Sequence, residues 1–351
     1  MSAENFEIHL NKKRNRRSRT ASNKNAFFIE GGGTKGVYAV GILKYLFGEN
    51  QYYPMQKTDI FGGTSVGSYL ATPLSLAFNA DDITAISKII NISNVIDSKF
   101  LFGLTAYRFI TQGHLYSERG IQKIVESILN YKINIINDHL AIPDTFIKGK
   151  DLTFGHLRTL INKYPSVYKH LLINAVDINR SNQIFMTTMD EKWNNIKLFD
   201  AMMASSAIPY VFKPIILYYD TKTDQYGYTK SDGLLECQLV DGGVSTNNPL
   251  DYFLVNKKKY ADFDLWLLKF TTKPQYVKIN GVISLLKQLV DYLIRGKNDV
   301  KMELVQDQYD ISTINLYSSA GTFDSYTEDQ IQKIINDIYN QCSTGKLHFG
   351  N

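Results

Sequence analysis

Short apolar runs alternate with longer amphipathic stretches along this chain. Ala26-Phe27-Phe28-Ile29 is a continuous apolar run, the pattern of a strand covered on both faces. Glycines follow, then an apolar helix over about residues 37–47. The motif repeats at residues 58–61, where a strand runs into Gly62-Gly63 and then a helix over 69–78 that Pro73 should kink. Residues 81–134 read as helices, with Ile83, Ile86, Ile89 and Ile90 on one face and Ile121, Ile124, Val125 and Ile128 on another. Strands return at 171–176 and 183–188, with a short helix over 198–205. A β-rich stretch over 214–240 is punctuated by turn signals at Asp224, Gly227 and Asp232-Gly233. Residues 264–270 and 311–316 read as strands, 281–295 and 327–341 as helices. In the first of these helices, Val282, Leu285, Leu286, Leu289 and Leu293 share one face, which is read as packing on the sheet; docking that face on a membrane is the minority reading. Strands alternating with helices imply an α/β fold, here a three-layer α/β/α sandwich with a mostly parallel central sheet.

Composition narrows the picture. The chain has 351 residues, 44% hydrophobic and 13% aromatic, enough for a large core. No Pro/Gly-rich linker divides it. The expected organisation is a basic disordered arm over 1–25, a core domain over 26–255 and a C-terminal extension over 256–351 packed on the same domain. Two cysteines, Cys237 and Cys342, build neither a disulfide framework nor a zinc site, which points to a reducing compartment. No apolar run reaches the ~18 residues that span a bilayer, and the first residues lack the basic start and apolar stretch of a signal peptide. An intracellular, soluble cytoplasmic protein with peripheral membrane association is expected. The net charge of +5 is concentrated in Lys12, Lys13, Arg14, Arg16, Arg17 and Arg19. This run reads first as a solvated arm, then as a tether to anionic lipid worth about 1 kcal/mol per residue near the surface, and third as a nuclear or nucleic-acid contact. The remainder is near neutral, so no nucleic-acid partner is expected.

Two glycine-rich turns carry the candidate chemistry. Gly63-Thr64-Ser65-Val66-Gly67, between a strand and a helix, has the context of a nucleophile elbow, in which small flanking residues let the chain turn sharply and expose the serine hydroxyl. On the pentapeptide alone a plain Gly/Ser loop fits equally well. Gly31-Gly32-Gly33-Thr34-Lys35-Gly36 follows the first strand. It satisfies G-x-G-x-x-G, yet no acid lies at the end of the second strand to hold a ribose, and Lys35 is followed by Gly36, which breaks a phosphate loop. As an oxyanion hole it complements the serine: bare amides at a helix N-terminus stabilise the negative charge that nucleophilic attack creates, with Lys35 adding positive charge.

A serine needs a base. None of His9, His114, His139, His156, His170 and His348 has a catalytic context. His348 could formally complete Ser65–Asp241–His348, but it lies three residues from the C-terminus, and the elbow comes too early in the chain for an α/β-hydrolase. Asp241 is the better candidate. It ends an apolar strand and Gly242 and Gly243 follow it; a plain Asp-Gly turn is the alternative.

Together these motifs resemble the patatin-like phospholipases. The loop 31–36 is similar to the family's oxyanion motif, Gly63 to Gly67 to its nucleophile motif, and Asp241-Gly242-Gly243 to the motif that supplies the aspartate of a Ser–Asp dyad. Ala204-Ser205-Ser206-Ala207-Ile208-Pro209 with Phe212 and Pro214, Asn247-Asn248-Pro249, and Leu152-Thr153-Phe154-Gly155 also resemble family blocks. Glu30 stands where the family often has Asp, and His156 where an acid is frequent. The resemblance covers about residues 26–250. It implies an ester hydrolase acting on glycerophospholipids or related acyl lipids, with Ser65 as nucleophile, Asp241 as base, no cofactor and no metal; carboxylates at calcium-site spacing are absent, so calcium independence is expected. Two other classes remain: a catalytically silent lipid-binding or scaffold protein of the same fold, and a Rossmann-type nucleotide binder.

Overall fold

The computed structural model describes residues 6–13, 24–48, 57–89, 118–271, 276–281, 284–285, 288–289, 292, 298–318 and 326–346. Among these residues ten strands form one sheet: β1 (Phe6–Lys13), β2 (Lys24–Ile29), β3 (Thr58–Gly63), β4 (His170–Asp177), β5 (Asn182–Thr187), β6 (Ile215–Asp220), β7 (Gln225–Gly227), β8 (Leu235–Asp241), β9 (Phe263–Thr271) and β10 (Ile311–Ser318). Their order is β1-β10-β9-β2-β3-β4-β8-β6-β7, with β5 on β4. The centre, β10-β9-β2-β3-β4, is parallel, and antiparallel strands flank it.

Strand alternation separates two apolar layers. Phe27, Ile29, Phe61, Leu171, Ile173, Leu268 and Phe270 point to one face. There they meet α1 (Gly36–Phe47), α2 (Val66–Ser75), α3 (Ala80–Ser87), α4 (Arg119–Asn130), α5 (Ile133–Leu140), α6 (Phe154–Lys163), α7 (Leu198–Ser205) and, late in the chain, the helix Glu328–Gln341. Ala26, Phe28, Ile60, Leu172, Leu265 and Leu267 point the other way and meet α8 (Asp251–Val255) and α9 (Asn298–Gln306), so Glu328–Gln341 is α10. This is the three-layer α/β/α sandwich with a parallel sheet core. A strand covered on both faces must be apolar throughout, which is why β2 reads as an unbroken run. Pro73 lies in the last turn of α2, which ends two residues later at Ser75.

Residues 170–173 of β4 pair with β3 and residues 175–177 with β8. β5 pairs with 172–177 and so occupies the opposite edge. β3 and β8 therefore share one edge of β4, and their C-terminal ends face each other along it. That arrangement brings the end of the elbow strand beside Asp241.

Two expectations are corrected. Residues 6–13 are not part of a disordered arm: β1 pairs antiparallel with β10, with Ile8 buried and Glu7 and His9 exposed. The remaining basic residues, Arg14, Arg16, Arg17 and Arg19, lie outside the described residues. β9, from the extension after residue 255, is inserted between β2 and β10 in the middle of the sheet. Of the helix expected over 281–295, residues 284, 285, 288, 289 and 292 are helical, and Leu285 and Leu289, read as packing on the sheet, are exposed. Val282, Leu286 and Leu293 lie outside the described residues.

Candidate active site

The elbow is built where β3 passes into α2. Ser65 sits at φ 53°, ψ −126°, a left-handed conformation that costs a non-glycine residue about 1–3 kcal/mol unless its surroundings hold it. They do so through both of its peptide groups. The Ser65 N–H donates to Ser205 Oγ at 2.9 Å. Its carbonyl accepts from Ser68 N at 2.9 Å and from Ser68 Oγ at 2.6 Å. The turn is pressed against the end of β2: Thr64 N–H donates to the Ile29 carbonyl at 3.2 Å, and a side chain on Gly67 would collide with that same carbonyl. Gly63 in turn touches the backbone of Gly67. Ser65 itself stays partly exposed.

Asp241 ends β8 and is buried, 1% exposed. Its N–H donates to the Ala207 carbonyl at 3.0 Å. Oδ1 accepts from Gly243 N at 2.7 Å. Oδ2 is buried without a partner in full hydrogen-bonding geometry, although the nearby Ser65 hydroxyl lowers the carboxyl's proton affinity. Both hold if Ser65 is close to the carboxylate but not yet locked onto it, as is common before substrate binds. Burial dominates, and it pushes the Asp241 carboxyl up from 3.8 to about 7, against the opposing effects of the Gly243 amide and Ser65. Tyr69 of α2 is coupled to Asp241; burial foremost raises its phenol above the ordinary range, and its oxygen lies 2.6 Å from Ser206 Oγ. The block 205–207 thus touches both halves of the pair, Ser205 holding Ser65 and Ala207 holding Asp241.

The glycine loop divides into anchoring and free parts. Gly31 N–H is taken by the Asn247 carbonyl at 3.2 Å, and the Gly31 carbonyl accepts from Asn247 Nδ2 at 2.6 Å. Lys35 N–H returns to the Gly32 carbonyl and Gly36 N–H to the Gly33 and Thr34 carbonyls. Among the described residues no protein acceptor takes the N–H of Gly32 or Gly33, and these two glycines are also the partly exposed residues of the loop. In the rest of the loop, Gly31, Lys35 and Gly36 have their amides engaged, and Lys35 and Thr34 are buried. Gly36, the first residue of α1, packs against Val66, the first of α2. The N-termini of α1 and α2, each the positive end of a helix dipole, so meet at Gly36 and Val66, the residue after Ser65.

The loop is fixed from below by groups to which the sequence reading gave no role. Buried Glu30 accepts from Asn248 Nδ2 and from Phe270 N, both at 3.1 Å. The Asn247-Asn248-Pro249 block carried the signal for these contacts, but its role lies in geometry that no spacing reveals. Histidine is absent from this cluster among the described residues. His139 bonds to Tyr168, His170 to Thr188, and His156 caps α6; His114 and His348 lie outside the described residues. Both cysteines are free and buried. Among the described residues no His, Cys, Asp and Glu side chains gather into a metal-ligand set, and no helix is long and apolar enough to cross a membrane.

The chain is 48% identical over 334 residues to protein L620 of Acanthamoeba polyphaga mimivirus, covering 93% of this chain and 90% of that protein. It is 23% identical to Patatin-15 of Solanum tuberosum over 62% of this chain and 48% of the potato protein. It is also 23% identical to the cGAMP-activated phospholipase of Vibrio cholerae, over 63% of this chain and 54% of that enzyme. Among solved structures, VipD of Legionella pneumophila aligns over 95% of this chain and 69% of its own, at 14% identity and a TM-score of 0.47. Residues 27–254 match the family model for patatin-like phospholipase, a span that contains the elbow, the glycine loop and Asp241, and the chain belongs to the patatin-like phospholipase family.

Proposed function

We propose that the protein cleaves fatty-acyl esters of membrane glycerophospholipids or related acyl lipids, a phospholipase A-type reaction that passes through an acyl-enzyme on Ser65. Family membership supports a lipid acyl hydrolase. The observation that carries the finer reading is the buried, unpartnered Oδ2 of Asp241 beside a serine held in a left-handed elbow.

Ser65 Oγ attacks the ester carbonyl while Asp241 takes its proton. Negative charge develops on the former carbonyl oxygen, where the amides of Gly32 and Gly33, joined by that of Val66 at the N-terminus of α2, receive it. Losing one such donor typically raises the barrier by roughly 2.7–4 kcal/mol. Collapse of the intermediate expels the lysolipid alkoxide, which regains the proton from Asp241. Water then enters, Asp241 takes a proton from it, and the acyl-enzyme breaks down to fatty acid and free Ser65. No step calls for a cofactor or metal ion, so turnover in the presence of a chelator is expected to equal that with calcium.

The test is product analysis on phospholipid vesicles. Wild-type protein is expected to release fatty acid and lysolipid; Ser65→Ala is expected to lose turnover by up to about 10⁶-fold. Lipolysis by Ser65→Ala at the wild-type rate overturns the mechanism.

A further inference from the structure

β3 and β8 meet along one edge of β4, and a single residue of β4 lies between their final pairs. Gly63, the last residue of β3, is opposite Ile173, and Asp241, the last of β8, is opposite Ala175. The residue between is Asn174, and it is fully buried. Its Oδ1 accepts from Thr64 Oγ1 at 2.5 Å, and its Nδ2 donates to the Thr246 carbonyl at 3.0 Å. A carbonyl only accepts, so the second bond fixes which end of the amide is nitrogen. Thr64 immediately precedes Ser65. Thr246 closes the turn that begins at Asp241, its N–H donating to the Gly242 carbonyl at 3.0 Å. Gly242 lies so close to Asn174 that a β-carbon there would stand 2.6 Å from Nδ2 and from the backbone oxygen. Gln183 of β5 steadies the far end, its Nε2 donating to Thr246 Oγ1 at 2.5 Å.

We infer that Asn174 is a positioning residue of the reaction: its amide ties the peptide before Ser65 to the turn after Asp241 and so sets the distance between the serine hydroxyl and the carboxylate. The inference rests on the Ser65–Asp241 reading. Its physical basis is that the amide is rigid and planar, and both of its bonds are made out of water. Breaking either strands a buried hydroxyl or carbonyl, so the spacing has one satisfied value rather than a range. The alternation of β4 gives the residue its direction. Leu172 lies in the layer formed with α8 and α9, and Asn174, two positions on, projects from the same side of the strand.

The experiment compares Thr64→Val, which keeps the shape and removes the hydroxyl, with Thr64→Ser, which restores it, and with Asn174→Ala. Ser65→Ala is the control. Each is titrated with a fluorophosphonate probe, and kcat, KM and the pH profile on a monomeric short-chain ester are expressed per labelled site. The expected result is a fall in kcat of about 10²-fold for Thr64→Val and Asn174→Ala, the scale of a small misplacement of reacting groups, with KM little changed. The midpoint of the pH profile is expected to move upward, because a displaced Ser65 no longer lowers the proton affinity of Asp241. Tyr69, the titratable side chain coupled to Asp241, stays neutral in this range and leaves the midpoint unaffected. Thr64→Ser is expected to recover most of the loss. Unchanged kcat per labelled site and an unchanged midpoint in Thr64→Val would overturn the positioning role, whatever its thermal stability. Thr64→Val also keeps the test decisive if Asn174→Ala does not fold. Full turnover by Ser65→Ala, a separate result, removes the dyad and with it the role of Asn174.

Discussion

Asp241 is buried at a cost to stability. Its carboxyl titrates near 7 when folded against an ordinary 3.8, so the folded state holds the proton where the unfolded state has lost it. The stability this group contributes is present below about pH 4 and lost as pH rises through about 7. The difference corresponds to on the order of 4 kcal/mol. Asp241→Asn keeps the acceptor for Gly243 and does not titrate. It is expected to be inactive yet to gain thermal stability over wild type as pH rises from 4 to 8, read by melting at each pH; a constant difference would contradict the buried-carboxylate account. The same titration predicts kcat/KM rising with pH to a plateau above about 7. Ser65 and Asp241 were legible in the sequence because glycines marked both turns. Ser205 and Asn247 lay in blocks that resemble the family without a stated role, and Asn174 left no signal. It is an asparagine in an apolar strand, and only the meeting of β3 and β8 at its position explains it.

At the scale of elements, period and capping decide what can be read. β2 was legible because a strand covered on both faces is an uninterrupted apolar run, and β3, β9 and β10 from the shorter apolar stretches at Ile60-Phe61, at residues 265–268 and at Ile311, Ile314 and Leu316. β1 was missed although Ile8 and Leu10 alternate with exposed Glu7, His9 and Asn11, because the basic run beginning at Lys12 dominated that region. α6 was missed for a capping reason. Its N-terminus is a reciprocal box in which Thr153 Oγ1 accepts from His156 N and His156 Nδ1 accepts from Thr153 N, both at 3.2 Å. Histidine replaces the usual Glu or Gln, so the pattern did not announce itself. Thr153→Ala is expected to destabilise the protein by about 1 kcal/mol, measured by denaturant unfolding, while leaving kcat unchanged. A loss of activity without loss of stability would contradict a purely structural cap.

At the scale of the molecule, the family match ends at residue 254 but the sheet does not. β9 covers one edge of β2 and β10 covers β9, so a chain cut after residue 255 would expose the strand that leads into the glycine loop. Such a truncation is expected to show no cooperative unfolding transition by calorimetry; a folded, active 1–255 fragment would contradict the sheet order. β1 likewise changes how the basic arm is tested, since deleting residues 1–25 removes a strand as well as charge. Replacing Arg14, Arg16, Arg17 and Arg19 with Gln leaves the strand intact. If the arm recruits the protein to membranes, this variant is expected to bind anionic vesicles more weakly at low salt and to lose the wild-type salt dependence; unchanged binding rejects the tether.

The Ser–Asp dyad is tested most directly by mass spectrometry of protein treated with a fluorophosphonate and digested into peptides. The account predicts one adduct per chain, on Ser65, abolished in Ser65→Ala and greatly slowed in Asp241→Asn. An adduct on another residue, or labelling of Asp241→Asn at the wild-type rate, would contradict it.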